Sequence, residues 1–249
     1  MKKTAIILGA SGLTGNILLQ KLIKDDRYDT IKLFSRSKLE GVPSKLPRGN
    51  PTRHSEENSL KISRQASEHL NLDYRVKQFV GNLLELNTFK ADFTADEVYC
   101  CIGTTSKKTP DKTLYKQIDY GIPVAAAKLA KENNIPTFLV VSAMAANKNS
   151  SVFYNKTKGE MEQGVLQQNI KNTFLLRPSL IGGERKERRV LEKIGLIVFK
   201  IIQPLFIGSL KKYKIINAES IAQAMLNLAN SISNANVIIT SDDIKQIAE

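Results

Sequence analysis

The stretch at residues 7–23, "ILGASGLTGNILLQKLI", decides the fold of the chain. Its three glycines, Gly9, Gly12 and Gly15, lie at fixed intervals between an apolar run typical of a buried strand and an apolar-periodic run typical of a helix. At such a junction the first glycine permits a sharp turn, the second lets the backbone approach a pyrophosphate, and the third lets the helix pack close to the strand. The amides and the positive end of the helix then face the phosphates. The stretch therefore predicts a dinucleotide-binding βα unit.

The rest of the chain continues this alternation of strand and helix. We predict strands at residues 4–9, 30–35, 75–80, 97–102, 137–142 and 173–177, and amphipathic helices at 16–24, 112–133 and 154–168. A further helix, a strand and a last helical turn follow within residues 217–248. This rhythm is typical of βαβ units. The predicted fold class is α/β, a Rossmann-type doubly wound parallel sheet, with residues 1–249 forming a single domain.

Two segments interrupt the alternation. Residues 37–73 are a polar, basic insertion whose first half holds three prolines and two glycines, too many for a helix there. Residues 181–213 we assign to a small C-terminal substrate-capping region. It contains an apolar helix, at residues 190–207, for which two other roles stay open, a weak contact with a membrane surface and simple packing on the core.

The chain is strongly basic, with a formal net charge of +13, and the excess is local. Residues 36–64 carry a net +4 and residues 184–214 a net +6. Basic patches suit nucleic acids, anionic lipids or an anionic cofactor. We expect no nucleic-acid partner, because the chain has no zinc-finger spacing, no Arg-Gly or aromatic-rich signature and no tryptophan.

Cysteine and histidine usage gives no sign of a metal or redox centre. Cys100 and Cys101 are adjacent, so strand alternation sends them to opposite faces, and we expect reduced packing residues. His54 and His69 show no metal-ligand spacing. The chain has no 18-residue uncharged apolar run, and the N-terminal apolar run is too short for a signal-peptide core. We therefore expect a cytoplasmic protein without a metal.

The end of the second predicted strand selects the cofactor. NAD sites usually place an acid about 20 residues beyond the glycines to bind the ribose hydroxyls, whereas NADP sites place an arginine for the 2′-phosphate. Here the strand ends in Arg36 and Ser37, with no acid before Glu40. This favours NADP(H) over NAD(H). After the third strand, we expect Asn82 to bond an adenine edge and Leu83 to pack on the adenine.

Candidate catalytic residues lie near the middle of the chain. Tyr154 and Lys158 are four residues apart, so on a helix they share a face, and the lysine charge can lower the pKa of the phenol. Ser142, at the end of the preceding strand, can reach the same place. Such a phenol can exchange a proton with a carbonyl or alcohol oxygen while a nicotinamide carries hydride.

These motifs together resemble the atypical short-chain dehydrogenase/reductases, and among them the Tat-interacting oxidoreductase group and its small bacterial relatives. The resemblance rests on "GASGLTG", "LFSRSKL", "CCIGTT", "VVSA", "YNKTKGEME" and "LLRPSLIGG", spread over residues 7–183. It implies a Rossmann core, NADP(H), and Ser142, Tyr154 and Lys158 as the catalytic triad. The cofactor positions that it implies, beyond the three glycines and Arg36, are Ser11, Leu13, Thr14, Gly103, Thr104, Arg177, Pro178 and Ser179.

The chain departs from the family pattern in three places. Many members carry a fourth catalytic residue, an asparagine, where this chain has Asp119, which puts a proton relay through that position in doubt. The 37–73 insertion is longer than the usual connection. The large C-terminal domain of nucleotide-sugar epimerases has no counterpart in this sequence, so we do not expect epimerase activity.

Two functions follow from these observations. The first is an NADP(H)-dependent oxidoreductase acting on a carbonyl or alcohol of a small, rather apolar molecule. The second is an NADP(H)-binding regulator that acts through a protein or membrane partner with little catalysis. The complete Ser, Tyr and Lys set favours the enzyme, since a sensor needs the glycines and Arg36 but no phenol. We expect a monomer or a homodimer.

Overall fold

A computed structural model describes residues 2–40, 75–182, 215–231 and 236–249. The predicted insertion at 37–73 and the predicted capping segment at 181–213, with its helix at 190–207, therefore lie almost wholly outside the described residues. Within the described ranges, no helix has the length and apolarity that crossing a membrane requires.

The described residues form nine strands and six α-helices. The strands are β1 (Lys3–Leu8), β2 (Tyr28–Ser35), β3 (Val76–Val80), β4 (Glu97–Cys100), β5 (Thr137–Val141), β6 (Asn172–Arg177), β7 (Ile181–Gly182), β8 (Ile216–Asn217) and β9 (Asn236–Thr240). The helices are α1 (Leu13–Ile23), α2 (Lys112–Lys116), α3 (Ile122–Glu132), α4 (Phe153–Leu166), α5 (Ala218–Ala229) and α6 (Ser241–Ala248). A 3₁₀ helix covers Leu83–Phe89, and a π-helical turn, Gln117–Gly121, joins α2 to α3.

Seven strands form one sheet in the order β3-β2-β1-β4-β5-β6-β9, with every neighbouring pair parallel. The short strands β7 and β8 pair separately. This architecture confirms the predicted Rossmann-type fold. The strand order changes direction at β1, which lies between β2 and β4. In open α/β sheets a ligand crevice forms at such a point, beyond the carboxyl ends of the strands.

The sheet is covered on both faces, and β1 shows why. Ala5 and Ile7 belong to one buried cluster, with residues of α1, α5 and α6, whereas Ile6 and Leu8 belong to a second cluster with residues of α3 and α4. All four side chains have no exposed surface. Because successive strand residues point to opposite faces, a strand that is apolar throughout requires a helical layer on each side.

The cysteine pair follows the same alternation. Cys100 lies in the second cluster and Cys101 packs against the first, and both are free thiols. The prediction of packing residues on opposite faces is confirmed. Within the described residues no three His, Cys, Asp or Glu side chains come together as a metal-binding group.

Two predicted helical segments differ from the structure. The helix expected at 112–133 is interrupted by the π turn, which a hydrophobic period does not reveal. The expected last turn is an eight-residue helix, α6, stabilised by a capping box between Thr240 and Asp243. Elsewhere the predicted strand ends differ by one or two residues, as at β1, where the left-handed backbone of Gly9 follows the last strand residue.

A buried polar cluster joins the amino ends of three strands. The carboxylate of Glu97, on β4, accepts hydrogen bonds from the phenols of Tyr28, on β2, and Tyr99, the latter at 2.6 Å. It also accepts one from the Lys3 ammonium of β1, at 3.2 Å. Asn230 donates to the Tyr28 oxygen at 2.8 Å, which ties the end of α5 to the cluster. The edge of the sheet opposite the glycine loop is thus held by charge and hydrogen bonds.

Replacing the buried carboxylate should destabilise the fold without touching the glycine loop. We expect Glu97→Gln to lower the free energy of unfolding by about 3 kcal/mol, since an amide NH₂ group then faces the donors that the carboxylate satisfied. Urea unfolding followed by circular dichroism measures the change. Asp29→Asn, an exposed carboxylate on β2, should change stability by less than about 0.5 kcal/mol. Equal effects of the two substitutions would contradict a structural role of the cluster.

Candidate functional site

The glycine loop has no room for side chains at two positions. Gly9 has a φ of +86°, in the left-handed region, and a Cβ there would lie 2.7 Å from the Cys101 carbonyl oxygen. A Cβ at Gly15 would overlap the Gly9 carbonyl oxygen. The amide of Gly12 donates to that same oxygen at 2.9 Å, which closes the turn. Both glycines are therefore required for helix α1 to begin beside the end of β1.

The first turn of α1 is open to an anion. Its N-cap is Gly12, which has no side chain to satisfy the helix amides, and no acidic residue occupies the first turn. Ser11 and Gly12 are exposed, Leu13 is half-buried, and Thr14 is buried. Backbone amides and the positive end of the helix therefore face the crevice, an arrangement that binds phosphates.

The end of β2 presents a cationic side chain to the same crevice edge. The Ser35 hydroxyl donates to the Ser37 carbonyl at 2.7 Å, which folds the chain back after the strand. Arg36 is exposed, and its guanidinium has no hydrogen bond or ion pair with any residue that the structure describes. A guanidinium in this state is available to a phosphate.

The adenine contacts expected of Asn82 and Leu83 stay predictions, and the structure shows the contacts of these residues within the chain. The Asn82 side chain caps the 3₁₀ helix, accepting from the Leu84 amide at 3.0 Å and donating to Glu85 at 3.1 Å. Leu83 is 4% exposed, whereas Leu84 is 45% exposed. The asparagine is engaged because a helix start needs an acceptor for its free amides. Leu84 and Val80, at the end of β3, are both exposed apolar residues.

Tyr154 and Lys158 lie one turn apart on α4 but in different surroundings. Tyr154 is 42% exposed, so its phenol can meet a molecule in the crevice. Lys158 is buried, and its ammonium lies 3.4 Å from the Val141 carbonyl at the end of β5. The lysine is therefore directed toward the carboxyl edge of the sheet, next to Ser142.

The buried lysine is paired with Asp119, on the π turn. The Lys158 ammonium lies 3.1 Å from Asp119 Oδ1, a distance of an ion pair, although Oδ1 forms no hydrogen bond of good angle. The other carboxylate oxygen, Oδ2, accepts the amide of Thr104 at 2.7 Å. Gly103 lies over this contact, since a Cβ there would be 3.6 Å from Asp119 Oδ1 and 3.9 Å from the Lys158 ammonium. Three predicted site residues, Gly103, Thr104 and Lys158, thus lie around Asp119. From the sequence alone, Asp119 is only a departure from the family pattern.

Ser142 forms its hydrogen bond away from Tyr154. Its hydroxyl donates to Glu162 Oε1 at 2.5 Å, and the Glu162 carboxylate also receives two bonds from the Arg177 guanidinium, at 2.9 and 2.6 Å. Glu162 follows Lys158 by one helical turn and is 4% exposed. Glu162 is not among the residues singled out from the sequence. The available signal was its spacing, because it follows Lys158 by four residues and therefore lies on the same face of the helix.

Residues 177–179, at the end of β6, are hydrogen-bonded to neighbouring elements. Arg177 pairs with Glu162, and the Pro178 carbonyl accepts the Met144 amide at 3.1 Å. Ser179 is buried, and its amide and hydroxyl bond to the Ser241 hydroxyl at 3.2 and 3.0 Å. These contacts fix the carboxyl end of β6 to the loop after β5 and to α6.

The surroundings of α4 shift the pKa values of its two candidate groups. Partial burial raises the pKa of the Tyr154 phenol, the Lys158 charge lowers it, and the Asp119 charge raises it, with a net increase. For Lys158, burial lowers the pKa, but Asp119 and Tyr154 raise it, and the net shift is upward. At neutral pH the site therefore holds a charged lysine and a neutral phenol.

Comparison of the sequence with known proteins finds several relatives of this chain. No family model matches the chain. Protein FMP52, mitochondrial, of Candida albicans is 32% identical over 166 residues, which cover 64% of this chain and 72% of that protein. Protein FMP52-1, mitochondrial, of Scheffersomyces stipitis is 30% identical over 230 residues, covering 91% and 88% of the two chains. Protein HTATIP2 of Rattus norvegicus is 27% identical over 187 residues, covering 75% and 66%.

Solved structures confirm the fold. The UDP-glucuronic acid 4-epimerase of Bacillus cereus, in complex with NAD, aligns with a TM-score of 0.62 over 95% of this chain and 77% of that chain, at 14% identity. The ADP-L-glycero-D-manno-heptose-6-epimerase of Helicobacter pylori aligns with a TM-score of 0.62 over 99% and 81%, at 13% identity. Identities this low show a shared Rossmann fold and nothing finer.

The comparison also corrects one prediction. We expected a cytoplasmic protein from the short apolar run at the N-terminus. That prediction is wrong, because the FMP52 relatives of two yeasts are named mitochondrial proteins. The length of an apolar run tests only for one kind of targeting segment, the secretory signal, and does not assign a compartment.

The Arg177 guanidinium should be important for stability, since it neutralises a buried carboxylate. We expect Arg177→Met to lower the free energy of unfolding by about 3 kcal/mol, because Glu162 is left buried without a counter-charge. Lys116→Met provides a control, since Lys116 pairs with Glu160 in a more exposed ion pair and its removal should cost less than about 1 kcal/mol. Thermal unfolding followed by circular dichroism compares the two. Comparable losses would show that the Glu162 pair is no more than a surface contact.

Proposed function

The chain belongs to the FMP52 family of atypical short-chain dehydrogenase/reductases, and from this we propose that it is an NADP(H)-dependent oxidoreductase that reduces a carbonyl group of a small molecule. The observation that carries the proposal is the pair on α4, an exposed phenol, Tyr154, one turn from a buried ammonium, Lys158. This pair lies at the carboxyl edge of a Rossmann sheet, where dinucleotide-dependent enzymes place their chemistry.

The glycine loop supports dinucleotide binding. The positions of Gly9 and Gly15 exclude side chains, and the first turn of α1 has free amides with no acidic residue nearby. These features fit a pyrophosphate. Arg36, without a partner among the described residues, fits the 2′-phosphate that distinguishes NADP(H) from NAD(H). Gly103 and Thr104 follow β4, the strand next to β1, and Asp119 accepts the Thr104 amide.

When bound, NADPH supplies a hydride to the substrate carbon. In the proposed reaction Tyr154 donates its phenolic proton to the carbonyl oxygen, so that the oxygen becomes an alcohol without passing through a free alkoxide. Lys158 is buried beside the phenol and stabilises the tyrosinate that remains. Proton transfer by a positioned group typically contributes about 10²- to 10⁴-fold in rate.

Ser142 has a narrower role than the sequence implied. A serine hydroxyl has one proton, and here that proton is directed to Glu162. Ser142 can therefore accept a hydrogen bond from a substrate hydroxyl, but it has no proton left to donate to a carbonyl oxygen. Tyr154 is then the proton donor of the pair, which supports assigning the acid role to it.

Exposed apolar side chains support an apolar substrate. Three large hydrophobic residues are exposed: Leu114 on α2, Val152 immediately before α4 and Leu180 after β6. Their exposed fractions are 41, 54 and 50%. Contact with an apolar molecule would remove this surface from water, a favourable change. We therefore propose a small molecule with an apolar body next to its carbonyl group.

Removing the phenol oxygen should abolish turnover while leaving the fold intact. We expect Tyr154→Phe to reduce NADPH oxidation at least about 100-fold across a panel of aldehydes, ketones and quinones, because the proton donor is lost. NADPH binding, titrated on the same samples, should not change. Tyr120→Phe is the matched control, since the half-buried Tyr120 contacts Lys116 and the second core cluster and should not affect the rate.

The result separates the two functions that the sequence left open. Turnover that survives in Tyr154→Phe would overturn the assigned acid. NADPH binding to both proteins, with neither oxidising it in the presence of any substrate, would instead favour a nucleotide-dependent regulator. Binding of neither NADPH nor NADH would contradict the interpretation of the glycine loop.

The cofactor preference has its own test at Arg36. We expect Arg36→Ala to weaken NADPH binding by about 10- to 100-fold, the loss of one or two charge-assisted hydrogen bonds, and to leave NADH binding nearly unchanged. Lys24→Ala removes a positive charge from the other end of α1 and controls for general electrostatic attraction. An equal loss for both cofactors, or a loss in the Lys24 variant, would count against recognition of a 2′-phosphate.

A further inference from the structure

We propose that Asp119 is a positioning residue of the proposed reductase site, whose carboxylate holds the Lys158 ammonium and the Thr104 amide together and keeps Tyr154 in its protonated form. This inference rests on the proposed function and deepens it, since it says that the site favours reduction of a carbonyl over oxidation of an alcohol. A protonated phenol is the form that reduction of a carbonyl requires, whereas oxidation of an alcohol requires the tyrosinate.

The backbone places Asp119 at this point through the π turn. Residues 117–121 form a single π-helical turn between α2 and α3, and Asp119 is its central residue. Such turns interrupt the regular hydrogen-bond ladder and often occur at functional sites. Asp119 is 1% exposed, although it lies on a helix whose neighbouring residue, Tyr120, is only half-buried. The turn thus directs a charged side chain into the interior, toward α4 and the loop after β4.

Each carboxylate oxygen of Asp119 has a separate partner. Oδ2 accepts the Thr104 amide at 2.7 Å, and Oδ1 lies 3.1 Å from the Lys158 ammonium. The Thr104 hydroxyl is also bonded to that of Thr109, at 2.8 Å, which stiffens the same loop. A charge-assisted bond to a backbone amide is stronger than a neutral one. Asp119 therefore links the cofactor loop to the lysine of the proposed acid.

The charge of Asp119 offsets that of Lys158 at Tyr154. Lys158 alone would favour the tyrosinate, because an ammonium near a phenol stabilises its anion. The buried carboxylate adds an opposite charge at close range, so the pair is neutral overall. In agreement, partial burial raises the pKa of Tyr154, and of the two charges Lys158 lowers it while Asp119 raises it, so that the net pKa lies above the ordinary value of 10.0.

Two other titratable groups face the Asp119–Lys158 pair. Burial raises the pKa of the Cys100 thiol, on β4, to about 11. Burial also raises the pKa of the Tyr115 phenol, on α2, and the charge of Asp119 adds to that increase. Both groups are neutral at physiological pH, so neither replaces the charge of Asp119 or Lys158. Glu162, on the next turn of α4, is neutralised by Arg177.

The absorbance of tyrosinate near 295 nm tests the proposal without cofactor or substrate, since the chain has no tryptophan. The difference between the pH titrations of the wild-type protein and Tyr154→Phe isolates Tyr154 among the seven tyrosines. We expect its tyrosinate to form only above pH 10 in the wild type. Formation below pH 10 would overturn the proposal, and this measurement needs no change at Asp119.

Asp119→Asn then removes the charge and retains an oxygen that can accept the Thr104 amide. We expect the Tyr154 tyrosinate to form about one pH unit lower in this variant, the size expected for one charge acting across a partly buried site. Asp119→Glu, which keeps the charge, should retain most of the wild-type value. The matched control is Glu160→Gln, which removes a carboxylate from α4 that pairs outward with Lys116. It should leave the titration unchanged.

The outcomes distinguish a charge effect from a merely structural one. An unchanged or higher titration pH in Asp119→Asn, or equal behaviour of Asp119→Asn and Asp119→Glu, would overturn the proposal. The proposed function fails separately, if NADPH does not bind or Tyr154→Phe keeps full turnover. If Tyr154→Phe abolishes turnover while Asp119→Asn leaves the Tyr154 titration unchanged, the protein would still be a reductase, but Asp119 would not be its positioning residue.

Discussion

The close approach of α1 to the end of β1 is the constraint on which the rest of the site depends. Because Gly15 has no side chain, the helix backbone lies against the Gly9 carbonyl, and the first turn begins at the switch point of the sheet. A side chain at either position would push the helix away and close the space into which its free amides point. The open space at the first turn of α1 is thus a consequence of two missing Cβ atoms.

Helix α4 is held against the sheet by charge as well as by apolar packing. Lys158 and Glu162, one turn apart and both buried, pair with partners on different elements, Asp119 on the π turn and Arg177 at the end of β6. A buried charge without its partner is costly, so each pair restricts where α4 can lie. The helix is therefore fixed at two points along its length. Tyr154 lies one turn before the first of them, Lys158, so these pairs also fix where Tyr154 lies.

Much of the fold could be predicted because its signals are local. The glycine spacing, the alternation of strand and helix, and the apolar interiors of the strands all lie within short windows of sequence. The π turn could not, since residues 112–133 have an ordinary helical pattern and the interruption depends on packing. The same limit applies to the partners in the site. Nothing local in the sequence indicates that Ser142 donates to Glu162, because that bond joins residues that are neighbours in space and not in the chain.

The position of Asp119 shows why a departure from a family pattern needs a structure to interpret it. From the sequence, an acid in place of an asparagine means only that a proton relay through that residue is uncertain. In the structure the same residue neutralises the buried lysine and anchors the loop that faces it. An asparagine at this place could accept the Thr104 amide but could not offset the charge of Lys158. An amide and a carboxylate at this position therefore differ in charge more than in hydrogen-bonding geometry, and the difference acts on the buried lysine.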